Sequence, residues 1–231
     1  MALDPSRRFP LMCITQDGGP MPPVEQAARL CSAGVRWIQL RMKGAPQDEW
    51  LAAAHKVVAI CRNYGAICII NDSVEIALQT GADGAHLGHK DMDWIEARRL
   101  LGPDRILGGT VNRTREAEKA ARAGCLDYVG VGPLRFTRTK KDLAPLQGYD
   151  GIRAFLSIVG GIPAWAIGGI ELGDLPEIRA MGAAGVAVCS ALLRNGTINE
   201  NVGAFLNAWP FGGAGNQPSR SIAITPNAGK P

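Results

Sequence analysis

Strand and helix segments alternate along the 231 residues and predict a single (β/α)8 TIM barrel with a flexible C-terminal tail. Three observations carry this expectation. The segments AARLCSAGVRWIQL, IALQTGADGAHLG, AEKAARAGCLDYVGVG and IRAMGAAGVAVCS each read as helix, then glycine, then strand, a weak internal repeat. The strand-like runs are continuously apolar rather than alternating, as expected for parallel strands covered on both faces. The length suits one barrel of about 250 residues better than two separate domains.

Taken in order, the apolar runs place strands at 11–15, 35–41, 66–71, 84–87, 105–110, 127–132, 163–168 and 184–189. Helices fall near 24–33, 47–64, 73–80, 93–101, 114–123, 149–159, 174–181 and 200–208. The helix at 47–64 shows its period best. Trp50, Leu51, Ala54, Val57, Val58 and Cys61 form one stripe, with Asp48, Glu49, His55 and Arg62 off it. Gly34, Gly81, Gly124 and Gly182 suit left-handed helix ends, and Asp174 with Glu177 has the spacing of a capping box. The domain expectation is a barrel over 1–209 and a Gly-, Pro-, Asn- and Ser-rich flexible extension over 210–231.

Composition narrows the function class. Apolar content of 46% and charged content of 20% are ordinary for a soluble enzyme. No apolar run approaches the roughly 18 residues of a membrane span, and the first residues do not read as a signal peptide, so a cytoplasmic protein is expected. A net charge of +4, scattered basic residues and 6% aromatics argue against nucleic acid and fit anionic small substrates. None of the six cysteines forms a C-x-x-C pair, so buried, reduced thiols are expected.

Parallel strands deliver their C-terminal ends to one face, where barrels build active sites. The polar clusters that end the apolar runs therefore carry the functional expectation. WIQL ends in Gln39, Arg41 and Lys43; ICII in Asn71 and Asp72; GAHLG in His89 and Asp91; RILGG in Thr110 and Asn112. Mg2+ takes one or two carboxylates plus phosphate oxygens, and Asp72 and Asp91 meet that need. The competing role, helix capping, is already filled by Ser73 and Asp93. Asp83 and Asp127 precede their strands and read as turn residues on the opposite face. Gln39, Arg41 and Lys43, two apart, share one side of an extended strand, with Arg as a fork and Lys as a point charge for phosphate oxygens. Thr137, Arg138, Thr139 and Lys140 lie in the longest internal connection, 133–148, either as a polar loop or as a phosphate clamp. Gly168-Gly169 and Cys189-Ser190 end the last two strands, where barrels often bind phosphate through backbone N–H groups. Tight turns alone also explain the glycines. His86 reads as a packed core histidine, His55 as exposed, and His89 as either a surface residue or an anion contact. No Ser-His-Asp or Cys-His spacing points to a protein nucleophile.

The strings QLRMK at 39–43, IND at 70–72, GADGAHLGHKDM at 81–92, GVGPLRFTRTKK at 130–141, IGGI at 167–170 and VAVCSAL at 186–192 resemble the thiamine-phosphate synthase family, in family order over about residues 10–195. The resemblance implies a (β/α)8 barrel that joins a hydroxymethylpyrimidine diphosphate to a thiazole phosphate, carboxylated or not, giving thiamine phosphate and pyrophosphate with Mg2+. It assigns Gln39, Arg41, Lys43, Asn71 and Lys140, with Leu40 and Met42 in the same segment, to the pyrimidine diphosphate, and Asp72 and Asp91 to Mg2+. It assigns Thr137, Arg138, Thr139, Gly168, Cys189 and Ser190 to the thiazole phosphate side. Arg41, Lys43, Thr110 and Lys140 are the implied catalytic set. The chain departs from the family pattern at Thr110, where Ser is usual, at His89, where Gln is common, and at Arg135-Phe136, where the family often has proline. Small-molecule partners are expected, and oligomeric state stays open. Three rival readings remain: a branch of the same fold that aromatises the thiazole phosphate or regulates, a non-enzymatic metabolite-binding regulator, and an unrelated phosphate-binding barrel isomerase.

Overall fold

The computed structural model describes residues 9–136, 145–194 and 197–209. Thr137, Arg138, Thr139, Lys140 and the extension expected at 210–231 lie outside them. Eight short apolar runs become strands: β1 Leu11–Ile14, β2 Trp37–Leu40, β3 Ile67–Asn71, β4 Gly84–Leu87, β5 Ile106–Val111, β6 Tyr128–Val131, β7 Ala164–Ile167 and β8 Gly185–Val188. All pair in parallel in sequence order, and β8 closes on β1, so the sheet is a closed barrel. The helices are α1 Pro23–Ser32, α2 Gln47–Asn63, α3 Val74–Thr80, α4 Trp94–Leu101, α5 Thr114–Ala123, α6 Gly148–Val159, α7 Leu175–Ala180, α8 Ser190–Leu193 and α9 Ile198–Ala208.

Local chemistry sets the helix limits. The Ser73 and Asp93 side chains accept the N–H groups of Ile76 and Ile95 and cap α3 and α4, as the sequence implied. Gly81 and Gly124 end α3 and α5 in the left-handed conformation, where a Cβ would be strained. Two local expectations need correction. The reciprocal cap before α7 joins Glu171 to Asp174 on a 3-10 turn, three residues upstream of the expected Asp174–Glu177 pair. The reason is that Asp174 bonds to the Glu171 N–H and to Arg135 rather than reaching forward. The short α8 was not foreseen, because four residues offer too little periodicity to register.

Alternation along the strands builds two apolar layers. Odd and even positions separate cleanly: Ile38, Leu40, Cys68, Ile70, Leu107 and Val129 pack outward against the helices. Met12, Trp37, Ile67, Ile69, Tyr128 and Trp165 fill the barrel interior. Trp37 meets Tyr128 and Trp165 edge-on at centroid distances of 5.1 and 4.8 Å, and Tyr128 meets Trp165 at 5.7 Å. Each such ring removes about 150–250 Å2 from water, an upper bound of about 4–6 kcal/mol apiece. This aromatic plug closes the barrel below the strand ends. Asp127 sits at the opposite, N-terminal end as expected, but it is more than a turn residue. It is buried and binds Arg98 and the Leu107 N–H, tying β5 and β6 together.

Candidate active site

Above the plug, the inward side chains at the strand ends become polar. A cavity of about 1200 Å3 opens there, lined by Gln39, Arg41, Lys43, Asn71, Asp72, Asp91, Thr110, Gly168, Cys189 and Ser190 together with residues not singled out in advance. Ten of the sequence-predicted site residues therefore converge on one mouth. Leu40 and Met42 do not. Leu40 is buried in the layer between strands and helices, and Met42 packs against the same layer. The alternation that aims Gln39, Arg41 and Lys43 into the cavity turns the side chains of these two neighbours away from it.

The cationic arm is held by β1. Thr15 Oγ1 accepts the Arg41 N–H at 3.0 Å, and the Asp17 carboxylate accepts from Arg41 Nη1 at 3.2 Å and from the Lys43 N–H. Thr15 and Asp17 were missed, although the rule that singled out Asp72, polar residues just past a strand, applies to TQD after β1 as well.

The two acids face each other. Asp72 has φ of 66°, a left-handed conformation uncommon for a residue with a Cβ, and its carboxylate meets Lys43 Nζ at 3.1 Å. Asp91 accepts the Gly88 N–H at 2.7 Å. Burial pushes the Asp91 carboxyl above its ordinary range; the Gly88 N–H opposes this, and the neighbouring Asp72 charge pushes it further up. A carboxylate pushed up by a neighbouring acid in this way gains from a cation placed between the two. No cluster of three or more metal-ligating side chains exists among the described residues, so a metal here would take most of its ligands from substrate or water. Hard carboxylate oxygens fit Mg2+, which keeps such open positions.

Beyond the acids, His89 lies 3.9 Å from buried Glu116, which also faces Arg113 at 3.7 Å. His86 is the buried, satisfied histidine expected, yet its ring also borders the cavity. On the far side, Gly168 and Gly169 hold φ of 93° and 67°. A Cβ on Gly168 would stand 2.4 Å from Pro133 Cβ, so only glycine lets the turn after β7 pass that close. Arg135, four residues past β6, forks onto Asp174, bonds to the Gly169 carbonyl and meets the Tyr149 hydroxyl, which itself donates to Asp174. That clamp was invisible in sequence because its members lie 14–39 positions apart.

The chain resembles known proteins over this same region. The family model described as thiamine monophosphate synthase matches residues 11–192. The chain is 43% identical over 174 residues to a thiamine-phosphate synthase of Phocaeicola vulgatus, covering 74% of this chain and 83% of that one. It is 43% identical over 191 residues to the thiamine-phosphate synthase of Myxococcus xanthus, covering 82% of this chain and 86% of that one. Among solved structures, the thiamine phosphate pyrophosphorylase from Pyrococcus furiosus superposes with a TM-score of 0.78 at 30% identity, covering 87% of this chain and 96% of that one.

Proposed function

Because the chain belongs to the thiamine monophosphate synthase family and acts as a thiamine-phosphate synthase, a transferase of thiamine biosynthesis, we propose that its cavity joins a hydroxymethylpyrimidine diphosphate to a thiazole phosphate with Mg2+ held by Asp72 and Asp91. The observation that carries this reading is the meeting of Arg41, Lys43 and the Asp72–Asp91 pair at one cavity wall. A diphosphate needs cations, and a close acid pair needs a cation too.

In this reading Gln39 and Asn71 orient the pyrimidine, while Arg41 and Lys43 grip the diphosphate. The bond from the pyrimidine CH2 to the diphosphate oxygen breaks as negative charge grows on the leaving group. Arg41 and Lys43, fixed in place by Asp17, Thr15 and Asp72, stabilise that growing charge with little reorganisation. The metal, when bound, supplies Lewis-acid neutralisation of pyrophosphate. The electron-rich aminopyrimidine carries the resulting methylene cation, and the thiazole nitrogen attacks it. No protein nucleophile is needed, and positioning the two substrates contributes much of the rate. The thiazole phosphate would lie against the Gly168–Gly169 turn, Cys189 and Ser190, across the cavity from Arg41. Thr137, Arg138, Thr139 and Lys140 complete the set by family resemblance. A cytoplasmic location fits this biosynthetic role.

The test is a Mg2+ titration of turnover in wild type and Asp91→Ala. The proposal expects activity to rise from near zero with Mg2+ and the variant to lose orders of magnitude. Turnover that ignores both EDTA and the substitution rules out the metal assignment.

A further inference from the structure

The mechanism above leaves His86 without a task, yet it occupies a built position. It is the last inward residue of β4, 7% exposed, between the aromatic plug and the cavity. Its Nδ1 lies 3.0 Å from the Tyr128 hydroxyl and its Nε2 2.8 Å from Thr110 Oγ1. The backbone makes room for this chain. At Gly108 a Cβ would fall 2.2 Å from Tyr128 Cζ and 2.5 Å from its hydroxyl, and at Gly130 it would stand 3.5 Å from His86 Cε1.

Proton order along the chain follows from donor and acceptor capacity. Burial pushes the Tyr128 phenol well above its ordinary range, so it keeps its hydrogen, while a hydrogen bond from the Gln39 side chain pulls the other way. The protonated phenol donates to the acceptor within its reach, His86 Nδ1, 3.0 Å away. A neutral imidazole that accepts at Nδ1 carries its hydrogen on Nε2. Thr110 Oγ1 then accepts, which frees its hydroxyl hydrogen. Thr110 has no other side-chain hydrogen bond recorded among the described residues, and it lines the cavity.

We propose that His86 is a positioning residue, locked as the Nε2–H tautomer by Tyr128, that turns the Thr110 hydroxyl into the cavity as a donor toward an acceptor atom of the bound pyrimidine substrate. The proposal rests on the reading of this cavity as the pyrimidine diphosphate site. It also gives the Thr110 departure a meaning, since Thr retains the donor that Ser supplies elsewhere in the family.

The chain has three histidines, so two-bond 1H–15N correlation of 15N-histidine-labelled, substrate-free protein reads the tautomer directly, with His86→Gln assigning the signal. Wild type is expected to show a neutral His86 protonated on Nε2, and Tyr128→Phe to lose that single preference. A proton on Nδ1, or an imidazolium at neutral pH, overturns the proposal. Turnover gives the second reading. His86→Gln, whose amide nitrogen reaches the Nε2 place, should keep kcat within about threefold, while His86→Leu and Thr110→Val should each lower it by about 10–100-fold at little change in KM for the thiazole phosphate. The double variant His86→Leu with Thr110→Val should fall no further than either single one. Equal losses in His86→Gln and His86→Leu, or full activity in Thr110→Val, overturn it. If His86→Leu fails to fold, the tautomer and the Thr110→Val variant still decide. A wild-type protein that makes no product while showing the Nε2–H tautomer refutes the functional reading and leaves the proton order intact.

Discussion

Replacing Asp174 by alanine removes the acceptor that fastens the turn after β7 to the segment leaving β6. The residue is 3% exposed and receives the Arg135 guanidinium, the Tyr149 hydroxyl and the Glu171 N–H. The Arg135 side chain is 45% exposed, so its ion pair is worth about 0–1 kcal/mol after solvent screening. The other two bonds end on a charged acceptor and contribute about 1.5 kcal/mol each. The expected loss is about 3–4 kcal/mol, a fall in unfolding midpoint of roughly 6–16 °C for a chain of this size. The effect also has a pH signature. Burial pushes Asp174 up, but the bonds from Arg135, Tyr149 and the Glu171 N–H outweigh it and hold the carboxyl below its ordinary range. A carboxyl with a depressed folded pKa stabilises the protein above its unfolded pKa of about 4 and loses that contribution as pH falls through the folded value. Thermal unfolding followed by circular dichroism at pH 7 and near pH 3 should therefore show a large difference that shrinks in acid. Because Asp174 steadies the Gly168–Gly169 turn through Arg135, KM for the thiazole phosphate should rise more than kcat falls. A midpoint shift under about 2 °C at pH 7, or a difference that persists undiminished in acid, refutes this reasoning.

Asp91→Asn should lose activity yet unfold at a higher temperature than wild type in metal-free buffer at pH 7. The raised carboxyl stabilises the fold only when protonated, a contribution lost as pH climbs through its folded value, so the gain should vanish toward pH 4 and below; a lower midpoint at pH 7 contradicts the burdened acid pair. Lys43→Ala should raise KM for the pyrimidine diphosphate by about tenfold while moving the unfolding midpoint by about 1 °C or less, since the Lys43 side chain is 53% exposed; steady-state kinetics beside thermal melts separate the two effects. Gly108→Ala should cost about 1–3 kcal/mol by driving a methyl into the Tyr128 ring, and denaturant unfolding measures it.

The barrel was legible because its signals are local. Glycine-terminated helices and continuously apolar strands repeat often enough that each boundary supports the next, and all eight strand positions overlap the observed ones. The strand-end rule also gathered Gln39, Arg41, Lys43, Asn71, Asp72, Asp91 and Thr110, because a parallel barrel turns sequence position directly into position on one face. Leu40 and Met42, which came in with the QLRMK motif rather than by that rule, turn their side chains to the helix-facing layer, because contiguity with a motif is not orientation. What stayed hidden depends on closure of the sheet. The Trp37–Tyr128–Trp165 plug joins strands far apart in the chain, and its members look like ordinary core residues one at a time. The same holds for the Tyr128–His86–Thr110 chain, whose links span 42 and 24 positions, and for the Arg135–Asp174 clamp, which spans 39. Asp17 is different: its placement after β1 was readable, and only the weight given to longer motifs hid it.

The most direct test of the account is product formation by the purified chain. Pyrimidine diphosphate, thiazole phosphate and Mg2+ are mixed with it, and thiamine phosphate and pyrophosphate are quantified, with a matched EDTA control. The account predicts both products in equal amounts with Mg2+ and neither with EDTA. Folded protein that makes neither product with the metal present contradicts it and returns the cavity to the aromatising or regulatory branch of the fold.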